Sequence, residues 1–548
     1  MSLERSAVPG RWPVEPSRGL TGNVLIVLVA LWVVGVDNFS FFGQVLKAYG
    51  MAPATLPALL SLLVAFLAVN VLLAGWVAFG RATKPVLVIV LLLSSLSAHF
   101  MDSYGVVIND EMLQNVVQTN PAEARDLLNF RLLAYFIGLG VVPAWLVGRA
   151  RLRWRGWRTE SWARLQLLAI ALLAIVALVM SFGGFFASFV REHKPLRSYA
   201  NPIFPLYSVV KYARGRLASP TQQTIEPIGL DARQSAKDPH RELVILVVGE
   251  TARADHFSLN GYGRKTNPLL EQEPNVISFG DFHACGTSTA VSVPCMFSVD
   301  GSNGTPEGKE SLLDVLQRAG VNVLWLDNNS DSKGVALRVP YQDYKSPAVN
   351  TVCDVECRDE GMLVPLQDYI DSHPSGDIVI VLHQMGNHGP AYYKRYPAAF
   401  ERFKPTCQNN DLSQCTAEEI INAYDNALLY TDYFLAKTIE LLKRNSERFE
   451  TALFYVSDHG ESLSEGGTWL HGLPRAIAPK AQLHVPAIIW LGSRHHDIDV
   501  AALRQKRNQP FTHDYLFHTV LGFLEIETTI YRPELDILHG SRKADWPK

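Results

Sequence analysis

Three places in the second half of this sequence set an acid or an imidazole directly behind a run of apolar residues. After ELVILVV (242–248) come Gly249, Glu250 and Thr251. After TALFYVS (451–457) come Asp458, His459 and Gly460. After DIVIVL (377–382) comes His383, with His388 five positions on. Mixed carboxylate and imidazole donors suit zinc. Each residue alone has a plainer reading. A Glu behind a strand is favoured at a helix start by the helix dipole, and a single His is more often a surface residue than a ligand. The adjacent Asp458-His459 pair is the most specific of the three signals.

A fourth segment, HACGTSTAVSVPCMFS (283–298), is rich in small hydroxyl residues and bracketed by Cys285 and Cys295. A hydroxyl held beside zinc can lose its proton and attack phosphorus, because the metal offsets the alkoxide charge. An ordinary Ser/Thr-rich turn has the same composition, so composition leaves both readings open.

For these groups to meet, their segments must be ordered by a common frame. ELVILVV, VNVLWL (321–326), DIVIVLH (377–383), TALFYVS and HVPAIIWL (484–491) have the length and continuous apolar character of buried strands. Helical stretches near 311–319, 360–371 and 416–444 lie between them. Alternating strands and helices imply an α/β domain with a mostly parallel central sheet covered by helices. In such sheets, sites gather at the carboxyl ends of the strands. That is where the acids and imidazoles stand.

The first 200 residues differ in kind. Apolar runs cover roughly 20–36, 56–79, 85–101, 130–148 and 166–186. Each is near the roughly 20 residues a helix needs to cross a bilayer. Asp37, His99 and Asp102 crowd the ends of the first and third. Multiple runs and the lack of a small-residue cleavage site speak against a cleaved signal peptide. Arg5, Arg11 and Arg18, then Arg81 and Lys84, then Arg149, Arg151, Arg153, Arg155, Arg158 and Arg164 fall on one side of a five-span layout. That side is the cytoplasm, which leaves the C-terminal domain in the periplasm.

Cysteine usage reaches the same compartment independently. The six Cys are Cys285, Cys295, Cys353, Cys357, Cys407 and Cys415, all in the C-terminal half and in three local pairs. The pattern suggests disulfides formed in an oxidising space; free thiols or a metal site are the alternatives, although the spacing is not that of a typical CxxC site.

The segment between the third and fourth runs, about 102–129, carries Asn115, Thr119 and Glu123 at four-residue intervals. On a helix they would share one face, with Pro121 as a potential interruption. Such a face beside a membrane can hold a lipid headgroup, or be simply solvated. Residues 187–240 form a connector, in which IFPLYSVVKYARGR (203–216) mixes apolar and basic residues in the manner of an interfacial helix. The expected organisation is therefore a transmembrane domain over 1–200, an interfacial helix and linker over 201–240, and a catalytic domain over 241–548. With 50 Lys and Arg against 53 Asp and Glu, there is no basic excess to favour nucleic acid. Mean hydropathy is +0.06, as expected for membrane helices diluted by a soluble part.

The blocks GETARADHFSLNGYGRKTNP (249–268), CGTSTAVSVPCMFS (285–298), DNNSDSKGV (327–335), HQMGNHGPAYYKRYP (383–397), SDHGESLSE (457–465) and WLHGLP (469–474) together resemble the phosphoethanolamine transferases that modify lipid A. These comprise intrinsic enzymes and transferable colistin-resistance enzymes of the alkaline phosphatase/sulfatase superfamily. The resemblance covers essentially the whole chain. It implies Thr289 as nucleophile, held against one zinc by Glu250, Asp458 and His459. It implies His388 and His471 in phosphate contact, proton transfer or a second, weaker zinc site, for which the blocks show no matching carboxylate. Asn329, Ser330, Lys333, Thr287 and His383 would face substrate, and Asn115, Thr119 and Glu123 would bind a headgroup. The implied reaction moves phosphoethanolamine from phosphatidylethanolamine to lipid A through a threonine-bound intermediate, releases diacylglycerol and lowers cationic-peptide binding. The implied protein is a monomer of the bacterial inner membrane. A lipopolysaccharide core sugar as acceptor, a phosphoglycerol transferase, a sulfatase-like hydrolase and a non-catalytic membrane scaffold are the competing readings. Thr289 speaks against a sulfatase, and an intact acid-imidazole set against a scaffold.

Overall fold

The computed structural model describes residues 19–119, 121–218, 225–235, 240–304 and 308–543. They form two compact units. The first takes the residues up to Asp102 together with Phe130–Pro205, and the second takes Ser103–Asn129 with everything from Leu206 onward. Arg5, Arg11 and Arg18 of the orientation argument lie outside the described residues, as does the side chain of Glu123.

In the first unit, Leu56–Val77, Gly80–Tyr104, Phe130–Arg149 and Trp157–Ser181 are long and apolar enough to cross a membrane. The first apolar run behaves differently. Gly22–Val36 stops at Asp37, and Phe39–Tyr49 continues at a bend of 56°. The break is held by polar bonds: the Asn38 amide donates to the carbonyls of Val33 and Asn201, each at 2.8 Å, and Asn201 N–H donates back to the Asn38 side chain at 3.0 Å. Among the described residues the count of candidate spans is therefore four, or five if the bent pair is one span, rather than five uniform helices. Trp76, Ile170, Leu173 and Met180 are exposed on these helices. Apolar surface of that kind is what lipid would cover. Arg164, counted above with the basic residues before the fifth apolar run, lies within Trp157–Ser181, where it is buried and donates to Gly75 O at 2.9 Å.

The second unit is built on a seven-stranded sheet. In chain order its strands are β1 (Glu242–Gly249), β2 (Val276–Phe279), β3 (Asn322–Asp327), β4 (Tyr341–Asp343), β5 (Ile378–His383), β6 (Glu450–Ser457) and β7 (Ala487–Leu491). Across the sheet the order is β2-β7-β6-β1-β5-β3-β4. The five strands from β6 to β4 run parallel, while β7 is antiparallel to both β6 and β2. The sheet is thus mixed. All residues of β1, β5, β6 and β7 are buried, because helices cover both faces.

Helix Ala417–Asn445 is the longest cover, started by a capping box between Thr416 and Glu419. Helix Leu312–Arg318 is capped the same way by Ser311 and Asp314. The cysteines form disulfides 285–295, 353–357 and 407–415, with none free.

Ser103–Asn129 carries its own anchors to this unit. Asp126 receives bonds from Lys394 (2.5 Å) and Arg395 (2.8 Å), and Asn410 donates to its carbonyl at 2.8 Å. The helix Asp110–Gln118 packs against the helix Thr289–Met296. The spacing of Asn115, Thr119 and Glu123 does not produce one continuous helical face. The helix ends at Gln118, Thr119 is extended, and a new helix begins at Pro121. Proline has no N–H to continue the ladder and disfavours a helical residue before it.

Candidate active site

The carboxyl ends of β1, β6 and β5 deliver Glu250, Asp458 with His459, and His383 to one edge of the sheet. Glu250, Asp458 and His459 are buried, and their ligand-type atoms lie within 4.8 Å of one another. His459 Nε2 is 3.3 Å from Glu250 Oε1 and 3.4 Å from Asp458 Oδ2. Thr289, the first residue of its helix, donates to Glu250 Oε2 at 3.1 Å, and its oxygen stands 3.4 Å from His459 Nε2.

The turn after β1 needs external support. Thr251 has φ +59°, an outlier for a β-branched residue. Its carbonyl accepts from Tyr424 OH at 2.8 Å and its N–H donates to Asp458 Oδ1 at 3.2 Å. Its hydroxyl donates to Glu250 Oε1. The helix Ala417–Asn445, through Tyr424, therefore helps fix the position of Glu250.

Two buried carboxylates this close repel each other. Burial and then the Glu250 charge push Asp458 up to about 7. Burial alone would lower His459, but Asp458 and Glu250 outweigh it and lift it to about 10. Asp458 Oδ2 is buried without a hydrogen-bond partner. Two acids, an imidazole and an orphaned buried oxygen fit a divalent cation, whose charge would let both acids ionise.

The remaining expected residues divide into groups. Asn329 turns toward Glu250: its amide donates to Glu250 Oε2 at 2.8 Å and to Gln384 O at 2.6 Å. Ser330 is buried beside it, and its carbonyl accepts from Lys333 Nζ at 2.7 Å. Lys333 also reaches Gln118 O at 3.2 Å, next to Thr119. Thr119 Oγ1 itself donates to Asn115 O at 2.7 Å. Thr287 donates to Leu473 O at 2.6 Å and accepts from Gly472 N–H at 2.8 Å, so it holds the loop of His471. The His471 ring lies 4.3 Å from that of His459, tilted by 42°, and 5.4 Å from that of His388, edge-on at 68°. His383 lies one layer deeper, with Nδ1 at 2.9 Å from Asp327 Oδ2.

Three residues escaped the sequence reading. Glu461 Oε2 faces His471 Nδ1 at 2.8 Å, and its other oxygen accepts from Tyr392 OH at 2.5 Å. A carboxylate therefore stands beside His471, although the sequence reading matched none to the second histidine pair. Glu461 stands inside the SDHGE block, three residues past Asp458, so the signal was present. Asp327 ends β3 as the other acids end theirs. His513 accepts from Cys285 N–H at 3.1 Å and donates to Ser457 O at 2.9 Å, which joins the Thr289 loop to the end of β6. No local signal marks it.

Comparison with known proteins agrees with this arrangement. Residues 242–526 match the sulfatase family, and residues 65–217 match the phosphoethanolamine transferase EptA/EptB family. The chain is 42% identical over 527 residues to phosphatidylethanolamine transferase Mcr-1 of Escherichia coli, covering 93% of this chain and 96% of that one. It belongs to the phosphoethanolamine transferase family. Phosphoethanolamine transferase EptA of Escherichia coli K12 is 38% identical over 538 residues, covering 95% of this chain and 97% of its own. The solved integral membrane EptA of Neisseria meningitidis superimposes with a TM-score of 0.92 at 34% identity, over 96% of this chain and all of that one. The transferase thus combines a helical membrane domain with an alkaline-phosphatase-like domain.

Proposed function

We propose that this transferase moves phosphoethanolamine from phosphatidylethanolamine to lipid A, with Thr289 as the nucleophile. The observation that carries the reading is the position of Thr289 Oγ1, 3.1 Å from Glu250 Oε2 and 3.4 Å from His459 Nε2 at the start of a helix. Free N–H groups of a first helical turn favour an anionic phosphoryl group. Glu250, Asp458, His459 and Thr289 would hold zinc, which when bound lowers the cost of an alkoxide and offsets phosphate charge.

The chain's own groups account for the protons. Thr289 sends its proton along the existing bond toward Glu250 Oε2 and attacks phosphorus. The bond from phosphorus to the glyceride oxygen breaks, and that oxygen takes a proton from His388, so that diacylglycerol leaves. His471 holds no extra proton to supply near neutral pH, since burial and then His459 push it down to about 3. Glu461 keeps its Nδ1 engaged, which aims Nε2 away from Glu461. In the second step a lipid A phosphate oxygen attacks the phosphothreonine, the bond from phosphorus to Thr289 breaks, Thr289 takes its proton back from Glu250, and the proton of the acceptor phosphate passes to His388. His388 and His471 are also the residues that would hold a second, weaker zinc, with Glu461 orienting His471.

Lys333 and Thr287 would face the substrate, Asn115 and Thr119 lie on the segment beside the Thr289 helix, and Glu123 belongs to the same proposed headgroup set. We assign 1–200, apart from Ser103–Asn129, to the membrane anchor, 201–240 to the connector and 241–548 to the catalytic domain. The three disulfides favour the periplasm. Relatives 28% identical to this chain are named for transfer at Kdo(2)-lipid A, which supports an acceptor of that kind. The added ammonium would weaken binding of cationic peptides, the basis of polymyxin resistance. Lipid A from cells making the protein should gain one phosphoethanolamine by mass spectrometry, and cells making Thr289→Ala should show none. Unchanged lipid A with modified core sugars would replace the acceptor.

A further inference from the structure

On the edge of the sheet opposite Thr289, β1 and β6 begin side by side, with Glu242 in register with Glu450. Because β7 runs the other way, the chain leaving it brings His495 and His496 to this same edge. His240 arrives there just ahead of β1. The Glu450 side chain is 2% exposed. Its Oε1 lies 2.5 Å from His496 Nδ1 and 3.5 Å from His240 Nδ1. Its Oε2 accepts from His496 N–H and from His495 Nδ1, each at 3.1 Å.

The three imidazoles do different things. His495 is buried among Glu242, Glu450 and Asp497, with Asp497 Oδ1 at 2.9 Å and Glu242 Oε2 at 3.7 Å. Its Nδ1 is shared between Glu450 and Asp497, so His495 steadies Glu450 from behind. His240 and His496 are half open to solvent, at 44% and 55%, and their rings stack 4.9 Å apart at 17°. Both aim Nδ1 at one carboxylate oxygen whose partner oxygen is already fixed from behind.

We propose that His240, Glu450 and His496 form a solvent-open zinc site, separate from the Thr289 centre. Two imidazoles, one carboxylate and an open side for water are a donor set zinc accepts. The three ligand atoms lie within 4.8 Å of one another. Ligand bonds of about 2.0–2.1 Å put neighbouring donors about 3.3 Å apart in a tetrahedron. His240 already meets that spacing, and His496 reaches it by an outward swing of under about 1 Å of an exposed ring. Fixing Glu450 from behind through His495 and the His496 backbone is the outer-sphere support that metal-binding carboxylates receive. The ion would tie the entry to β1 to the segment leaving β7, and would act on stability rather than on the reaction.

The test uses the full chain in detergent, wild type beside a His240→Ala/His496→Ala variant. After equilibration with low-micromolar free zinc and desalting, metal content is read by plasma mass spectrometry and unfolding by thermal scan. Wild type should retain one more zinc per chain than the variant, and added zinc should raise the unfolding midpoint of wild type alone. Phosphoethanolamine transfer should be equal in both, which separates this ion from the Thr289 centre. Should the double variant fold poorly, His240→Gln alone should weaken the additional ion at least tenfold. Equal zinc content in wild type and variant would overturn the site, as would an additional ion that washes out of wild type on desalting.

Discussion

Asn329 separates two readings of the site. By resemblance it should face substrate, yet its amide donates to Glu250 Oε2 at 2.8 Å and to Gln384 O at 2.6 Å. In Asn329→Ala, Glu250 Oε2 keeps only the Thr289 hydroxyl. A hydrogen bond to a buried charged group is worth about 1.5–3 kcal/mol. Losing the support of a metal-binding carboxylate costs about 10–100-fold in metal affinity. The expected result is therefore zinc binding weakened about tenfold or more, measured by competition with a chromogenic chelator. Transfer activity should fall with it and recover as free zinc is raised. The reasoning is refuted if zinc affinity stays at the wild-type value while activity falls with a higher KM for the lipid donor. Asn329 would then serve the substrate, and its contact with Glu250 would be a resting arrangement.

Two further perturbations test the supports of the site. Cys285 and Cys295 close a loop of sequence separation 10 around Thr289, so Cys285→Ser/Cys295→Ser should cost about 2.5–3 kcal/mol by loop-closure entropy. Chemical denaturation of the second unit measures that loss, and a change below about 0.5 kcal/mol would mean the loop is held by other contacts such as His513. Asp126 should make the attachment of Ser103–Asn129 acid-sensitive. Burial raises its carboxyl, but Arg395 and Lys394 outweigh this and hold it below its ordinary value. Its contribution is therefore complete above the unfolded value of about 3.9 and is lost as pH falls through the lower folded value. Limited proteolysis of Ser103–Asn129 should accelerate only below about pH 4 in wild type and at neutral pH in Asp126→Ala. Equal cleavage of both at neutral pH would show that the segment is held by its helix packing alone.

What the sequence made legible follows from the range of the forces involved. Continuous apolar runs of β1, β3, β5, β6 and β7 report burial on both faces, a local property, and the acids behind them were legible for the same reason. The reversal of β7 was not, because an apolar run carries no direction. Its reversal matters chemically, since it sends His495 and His496 to the edge away from Thr289. The short strands β2 and β4 alternate or half-expose their residues and lack an apolar run to mark them.

The roles of neighbours were hidden for a different reason. Whether Asn329 points at a substrate or at Glu250 depends on where the next strand ends, and His513 meets Cys285 across 228 positions of sequence. Asp126 meets Arg395 across 269 positions, which is why a loop between two membrane runs reads as solvated and folds as part of the other unit. Glu461 is the instructive middle case. It sits in a quoted block and is an acid near two imidazoles, but its place depends on a turn that carries it past Asp458 to His471 and Tyr392. Residues that perform chemistry cluster at strand ends, where pattern finds them. Those that hold them in place come from wherever the chain returns, and only their contacts identify them.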